Sequence, residues 1–246
     1  MGRPLFGPPL VDVQPRSCDI PEPMLYAGAT VERFPGKKYF ASLRFVEFAP
    51  RAPLPRASTL TRFAHEMPDE AVIALRAPRA ALVSELGPLR PSEAQAQALA
   101  WTLDAAERLR ARAVVLPTPA SLTPGSHSRE RIKAFAEALP RPAGRHYVWA
   151  PQGLWEEEES AQLAERLGLV RAFDPLFEQR PPGSVVYARL QTLGAQTGFS
   201  EATLDDVLER IGDEPFETAF VSIESDRSFK QAERLIALMS ERDSDP

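Results

Sequence analysis

The sequence is poor in the residues that carry redox and metal chemistry. Its 246 residues include one cysteine, Cys18, and three histidines, His65, His127 and His146. One cysteine excludes an intramolecular disulfide and fits a reducing, cytoplasmic compartment. The histidines fall in different segments, and no two share a metal-ligand spacing such as i, i+4, so no metal site is expected. Each reads more simply as a surface or packing residue. Positive charge is short as well: 29 Lys and Arg face 34 Asp and Glu, for a net charge of −5. That argues against a nucleic-acid footprint, which needs a basic face. No apolar run approaches a membrane span, and the proline-broken start, Met1 to Pro9, lacks the pattern of a signal peptide. Glycine is scarce, at 13 residues. There is no G-x-G-x-x-G, no P-loop and no G-x-S-x-G elbow. No cofactor is therefore expected.

Proline, by contrast, is abundant, at 25 residues, while 43% of the chain is hydrophobic and 26% charged, as in a globular protein. The prolines punctuate loops between regular apolar runs. Residues 1–22 read as an extended proline-rich tail, 23–241 as one domain and 242–246 as a frayed end. Eight runs read as strands: Met24–Ala29, Leu43–Ala49, Ala71–Arg76, Ala113–Leu116, His146–Ala150, Val170–Phe173, Val185–Leu190 and Ala219–Ile223. Most are continuously apolar, as strands covered on both faces should be.

Helical patterns lie between them. Ser58–Glu66 opens on a Ser/Thr cap. Ser92–Arg110 opens with a capping box, Ser92-Glu93-Ala94-Gln95, followed by a stripe of Leu99, Leu103, Ala106 and Leu109. Ser128–Leu139 follows the turn at Pro124-Gly125. Glu156–Leu167 begins with four glutamates, suited to the positive end of a helix dipole, and closes at Gly168. Ser200–Ile211 and Ser228–Met239 complete the set. Pro175–Gly183 has too many prolines for a helix, and the first crossover is short. Alternating strands and helices give a parallel sheet with right-handed crossovers. Eight strands predict a single closed (β/α)8 barrel of the TIM type with some reduced helices, an open doubly wound sheet being the alternative.

In such a barrel chemistry sits at the C-terminal strand ends, and several runs end on polar residues. The second strand carries Glu47 in Phe45-Val46-Glu47-Phe48, and a carboxylate among apolar residues is costly unless paired. The third ends at Arg76 and the fifth runs into Gln152 and Trp155. The sixth ends at Asp174, the seventh carries Arg189 and Gln191, and the eighth ends at Glu224. These residues are expected to form a polar ring at the mouth, with Glu47 paired to Arg76 and Arg189 to Glu224. Trp155 is read either as a wall of that mouth or as core, and Thr192–Gly198 as a backbone cradle or a plain loop. The ring is either a structural ion-pair network or a cleft in which arginines hold an anion and glutamates move protons. If Glu47 and Arg76 form this cluster, Glu47→Gln should harm ligand binding or activity more than folding, and equal loss of both would mark a structural pair.

The segments YAGAT, FVEFAP, STLTRFAHEMPDEAVIALRAPR, RARAVVLPTPASLTP, YVWAPQGLW, VVYARLQ and TAFVSIESDRSFKQAERLIAL occur in an order that resembles the YecE-like family, a domain of unknown function (number 72) with a TIM-barrel-type fold. The resemblance covers roughly residues 25–240. It implies that fold and names no reaction. The family usually has a lysine where this chain has Arg76. The usual E-P-R-H is replaced by Ala150-Pro151-Gln152-Gly153, and R-L-H by Arg189-Leu190-Gln191. The terminal asparagines of the last strand become Glu224-Ser225. Glu47 and Arg189 match the family. The chain thus resembles a divergent member with a rewritten pocket. One reading is a barrel that binds a small anionic ligand or a protein partner without catalysis. The other is a metal-independent hydrolase or acid/base enzyme with Glu47 and Glu224 as its carboxylates and Arg76 and Arg189 holding an anionic or sugar substrate.

Overall fold

A computed structural model describes residues 23–194 and 196–244. The proline-rich segment 1–22, with Cys18, and the last two residues lie outside the described residues. The expected runs become β1 (Met24–Val31), β2 (Phe45–Phe48), β3 (Val72–Arg76), a two-residue pair β4 (Val83–Ser84) and β5 (Gly87–Pro88), then β6 (Ala113–Thr118), β7 (His146–Pro151), β8 (Val170–Phe173), β9 (Val185–Gln191) and β10 (Thr218–Glu224). Eight of these form a closed parallel barrel in the order β1-β10-β9-β8-β7-β6-β3-β2. The antiparallel β4–β5 pair lies apart, and with the short helix at Arg79–Leu82 it was not foreseen in the sequence.

Strand parity divides the core into two buried clusters. Phe45, Val72, Ala74, Ala113, Val115, Val148, Ala150, Ala172, Tyr187 and Phe220 fill the barrel interior. Intervening positions such as Val46, Phe48, Ile73, Leu75, Val114, Trp149 and Val221 belong to a second cluster, shared with the surrounding helices. The interior is lopsided. Tyr26, Phe45, Tyr187 and Phe220 interlock on one side, with ring centroids 5.5–6.4 Å apart, while β3, β6, β7 and β8 contribute valines and alanines.

The helices are α1 (Lys37–Phe40), α2 (Ala57–Glu66), α3 (Arg79–Leu82), α4 (Glu93–Arg108), α5 (Ser126–Glu137), α6 (Glu157–Arg166), α7 (Glu201–Gly212) and α8 (Ser228–Ser244). Ser92 caps α4 as its sequence suggests, accepting from the Gln95 amide at 3.2 Å. The expected cap of α2 does not form: Arg56 is its N-cap, with no side-chain hydrogen bond. In α4 the buried face runs through Gln95, Ala98, Thr102, Ala105 and Ala106. It is rotated from the leucine stripe because small side chains let the helix lie close to the barrel, while Leu99 and Leu103 pack at its flank. The last helix continues to Ser244, past the end expected from its sequence.

No helix joins β8 to β9, as the prolines require. Buried Arg171 takes over part of the missing helix's role. It donates to Ser160 on α6 and, through Nη1 and Nη2, to both carboxylate oxygens of Glu178, at 3.1 Å each. Arg180 ties the same connection to the carbonyls of Glu214, Gly183 and Pro215.

At the seam between β1 and β2, Gly28 leaves no room for a side chain: an added Cβ would sit 1.9 Å from the Phe45 carbonyl oxygen. Here the buried Tyr39 hydroxyl accepts from the Ala29 amide at 2.8 Å and donates to the Phe45 carbonyl at 2.7 Å. One hydroxyl thereby satisfies two backbone groups at this join. Its pKa is raised because burial disfavours the phenolate.

Candidate active site at the barrel mouth

Parity also builds the site. Glu47 lies two residues beyond interior Phe45, Arg76 two beyond Ala74, Arg189 two beyond Tyr187, and Glu224 four beyond Phe220. All four therefore continue inward-facing rows at the C-terminal end of the barrel.

Glu47 has no exposed surface. Arg76 Nε donates to its Oε1 at 2.6 Å and the Tyr187 hydroxyl to its Oε2 at 2.7 Å. Burial alone would raise its pKa. Arg76, Arg189 and hydrogen bonds from Tyr187 and Ser222 outweigh burial and hold the carboxyl at about 2. The same environment raises the Tyr187 pKa: burial and the adjacent Glu47 charge both disfavour a phenolate.

Arg76 spans the two glutamates, its Nη2 donating to Glu224 Oε2 at 2.7 Å. Gln191 Nε2 donates to that same oxygen at 2.8 Å. Glu224 is partly open to solvent. Its partial burial would raise its pKa, but Arg76, Gln191 and Arg189 hold it below the ordinary range. Arg189 sits differently. It is only 11% exposed, yet reaches Glu47 and Glu224 at ion-pair range alone, 3.8 and 3.7 Å, and its buried Nε has no hydrogen-bond partner among the described residues. The expected Arg189–Glu224 pair thus exists but is long, and Arg76 makes the closer contact.

Above this network lies an open cavity of about 1090 Å³. Of the residues expected at the mouth, Arg76, Arg189, Gln152, Gln191 and Glu224 line it, with Glu47 sealed beneath. Two do not line it. Trp155 is buried in the outer core, where it donates to the Leu122 carbonyl at 2.7 Å and meets Trp149 edge-on at 5.1 Å; Gly153, at φ +89°, turns the chain just before it. Asp174 accepts from the Leu176 amide at 3.0 Å and shapes the turn after β8. Burial raises its pKa.

The structure adds groups that the sequence reading missed. Tyr187 and Ser222 serve Glu47 from below, each two residues before a site residue on its own strand. Thr30, Arg33, Arg51 and Arg79 line the cavity higher up. Arg51 pairs with Glu32, whereas Arg33 and Arg79 have no carboxylate partner among the described residues. Thr192 and Leu193, from the glycine-containing loop after β9, reach the rim. Among the described residues no three His, Cys, Asp or Glu side chains converge as metal ligands. None of the described helices is long and apolar enough to cross a membrane.

The barrel is shared with solved DUF72 family proteins. One from Thermotoga maritima is 14% identical and superposes with a TM-score of 0.63, covering 88% of this chain and 99% of that one. One from Enterococcus faecalis V583 is 10% identical, with a TM-score of 0.66 and coverage of 89% and 98%. A xylose isomerase domain containing protein from Salmonella typhimurium LT2 is 13% identical, with a TM-score of 0.56 and coverage of 83% and 89%. No family model and no curated protein matches the sequence. The likeness is one of fold, and the resemblance seen in the sequence is met at that level.

Proposed function

We propose that this chain is a divergent DUF72-type barrel, cytoplasmic and without resident metal, that binds a small anionic ligand at its C-terminal mouth through Arg76, Arg189 and Gln191. Arg189 carries the reading. A nearly buried guanidinium without close hydrogen bonds is costly, and an anion entering from the cavity it lines would supply its missing acceptors. Two guanidiniums face the sealed carboxylate of Glu47 and the half-open one of Glu224, so the cavity floor carries one positive charge whenever the Glu224 side chain turns away, which suits a carboxylate or a phosphate. On the rim Arg33 and Arg79, without a carboxylate partner among the described residues, outnumber Asp226 and extend the same sign outward.

Under this reading Glu47 positions the arginines and does not transfer protons. A carboxyl held at about 2, with no exposed surface and both oxygens engaged, is neither an acid nor an accessible base at neutral pH. The hydrolase alternative then rests on Glu224 alone. It too is ionised, and it is already committed to Arg76 and Gln191.

A thermal-shift titration with inorganic phosphate, sulfate and simple mono- and dicarboxylates tests the proposal, since a ligand of the native state raises Tm by mass action. At least one probe should raise the Tm of the wild type and fail with Arg189→Ala. A flat response throughout, or a shift that survives Arg189→Ala, would refute it. Turnover of a phosphate or glycosyl ester that Glu224→Gln abolishes would favour the enzyme instead.

A further inference from the structure

We propose that Glu224 is an intramolecular stand-in for the ligand: its carboxylate occupies the anion fork, and an external carboxylate or phosphate binds by displacing it. This rests on the anion-binding reading above.

One oxygen, Oε2, gathers the groups that would hold a ligand anion. Arg76 Nη2 lies at 2.7 Å, Gln191 Nε2 at 2.8 Å and Arg189 Nη2 at 3.7 Å. The remaining Arg76 contact is turned the other way, with Nε on Glu47 at 2.6 Å. The fork therefore keeps its orientation when Glu224 leaves. The two glutamates differ in freedom. Glu47 is locked, with none of its side chain exposed, whereas 44% of the Glu224 side chain faces solvent. Glu224 ends its strand, and its carbonyl is pinned by the Thr192 amide at 3.1 Å. Release thus needs only side-chain rotation into the cavity and no movement of the barrel. Its charge matches as well: with Glu224 docked, two arginines meet two carboxylates; with Glu224 swung out, one positive charge waits for an anion of the same kind.

The consequence is self-competition. The protein should bind small anions more weakly than its arginines alone would, and removing the internal carboxylate should strengthen binding. Acetate is the direct probe, because it reproduces the Glu224 carboxylate, and inorganic phosphate is the second. Titration calorimetry or NMR on the full chain would compare the wild type, Glu224→Gln and Glu224→Ala, each checked for a cooperative thermal melt. Glu224→Ala should bind acetate at least about ten-fold more tightly than the wild type (about 1.4 kcal/mol), with Glu224→Gln between them, since its amide oxygen still competes but carries no charge. Acetate should also restore the Tm of Glu224→Ala while barely moving that of the wild type. Wild-type binding that is equalled or weakened in both variants would overturn the stand-in role and leave the anion site intact. Absence of acetate and phosphate binding in all three proteins would overturn both. Should Glu224→Ala fail to fold, the comparison of Glu224→Gln with the wild type decides by the same criteria.

Discussion

Glu47→Gln keeps the shape of the deepest site residue and removes its charge, so it isolates the electrostatic part of the network. In the folded chain the carboxyl is held at about 2, against 4.5 for a free side chain. Because the group is fully buried, little of that difference is screened by solvent, and it corresponds to roughly 3 kcal/mol of stability at neutral pH. Removing one member of a buried pair also strands its partners, here Arg76 and nearly buried Arg189, and such losses run to about 3–5 kcal/mol. For a domain of this size that lowers Tm by roughly 10 °C.

The pH dependence distinguishes this cause from a packing defect. The folded-state pKa lies below the unfolded one. The stabilisation is therefore complete above about pH 4.5 and is lost as pH falls towards 2. The gap between the wild type and Glu47→Gln should be constant from pH 7 to 5 and should close steadily below that. Urea unfolding followed by circular dichroism at pH 7, 5, 4 and 3 measures it. The buffer should be free of phosphate and carboxylates, because an anion in the mouth would partly neutralise the freed arginines. A loss under about 1 kcal/mol at pH 7, or a gap unchanged at pH 3, would sink the reasoning. This expectation reverses the one drawn from the sequence, where the Glu47–Arg76 cluster implied a folding cost smaller than the cost to binding or activity.

Tyr39→Phe should cost roughly 2–3 kcal/mol, because two buried backbone groups lose their shared partner, and hydrogen exchange at the Ala29 amide should accelerate. Gly28→Ala should be much worse, and soluble, stable Gly28→Ala protein would contradict the contact described; Gly36→Ala, with nothing within 4 Å of the added carbon, is the matched control and should be near neutral. Glu178→Ala should leave buried Arg171 without its carboxylate and make the helix-free connection between β8 and β9 the first site of limited proteolysis, with global Tm also reduced. Trp155→Phe should lower stability by about 2 kcal/mol through lost volume and the lost bond to Leu122, yet leave phosphate binding unchanged; weakened binding would return Trp155 to the mouth.

The eight strands were legible because each is an apolar run long enough to be covered on both faces, and proline marked the one crossover without a helix. What parity could not supply was the partner across the barrel. Glu47 lies in the run Phe45-Val46-Glu47-Phe48 whatever its neighbours are, and Arg76 on the adjacent strand was a natural guess. Tyr187 is 140 positions away in sequence, and only barrel closure brings its hydroxyl to Glu47. Asp174 falls outside the mouth, and Trp155 takes the core position of its two readings, for a local reason. Each lies just beyond its strand, where the chain turns: at Gly153 for Trp155, and at the Leu176 amide for Asp174. The inward parity of a strand does not extend around a turn.

The same geometry explains how a pocket rewritten at so many positions can remain a site. Valines and alanines of β3, β6, β7 and β8 fill one side of the interior, while Phe45, Tyr187 and Phe220 brace the other and carry the Tyr187 hydroxyl up to Glu47. A carboxylate at that height needs one guanidinium to be neutral, and Arg76 alone meets that need at 2.6 Å. A purely structural pair would stop there. The second guanidinium, Arg189, adds a charge that Glu47 cannot absorb, at a distance too long for a hydrogen bond, beside a cavity open to solvent. Its cost is offset only by an anion, whether the internal one on Glu224 or one arriving from outside.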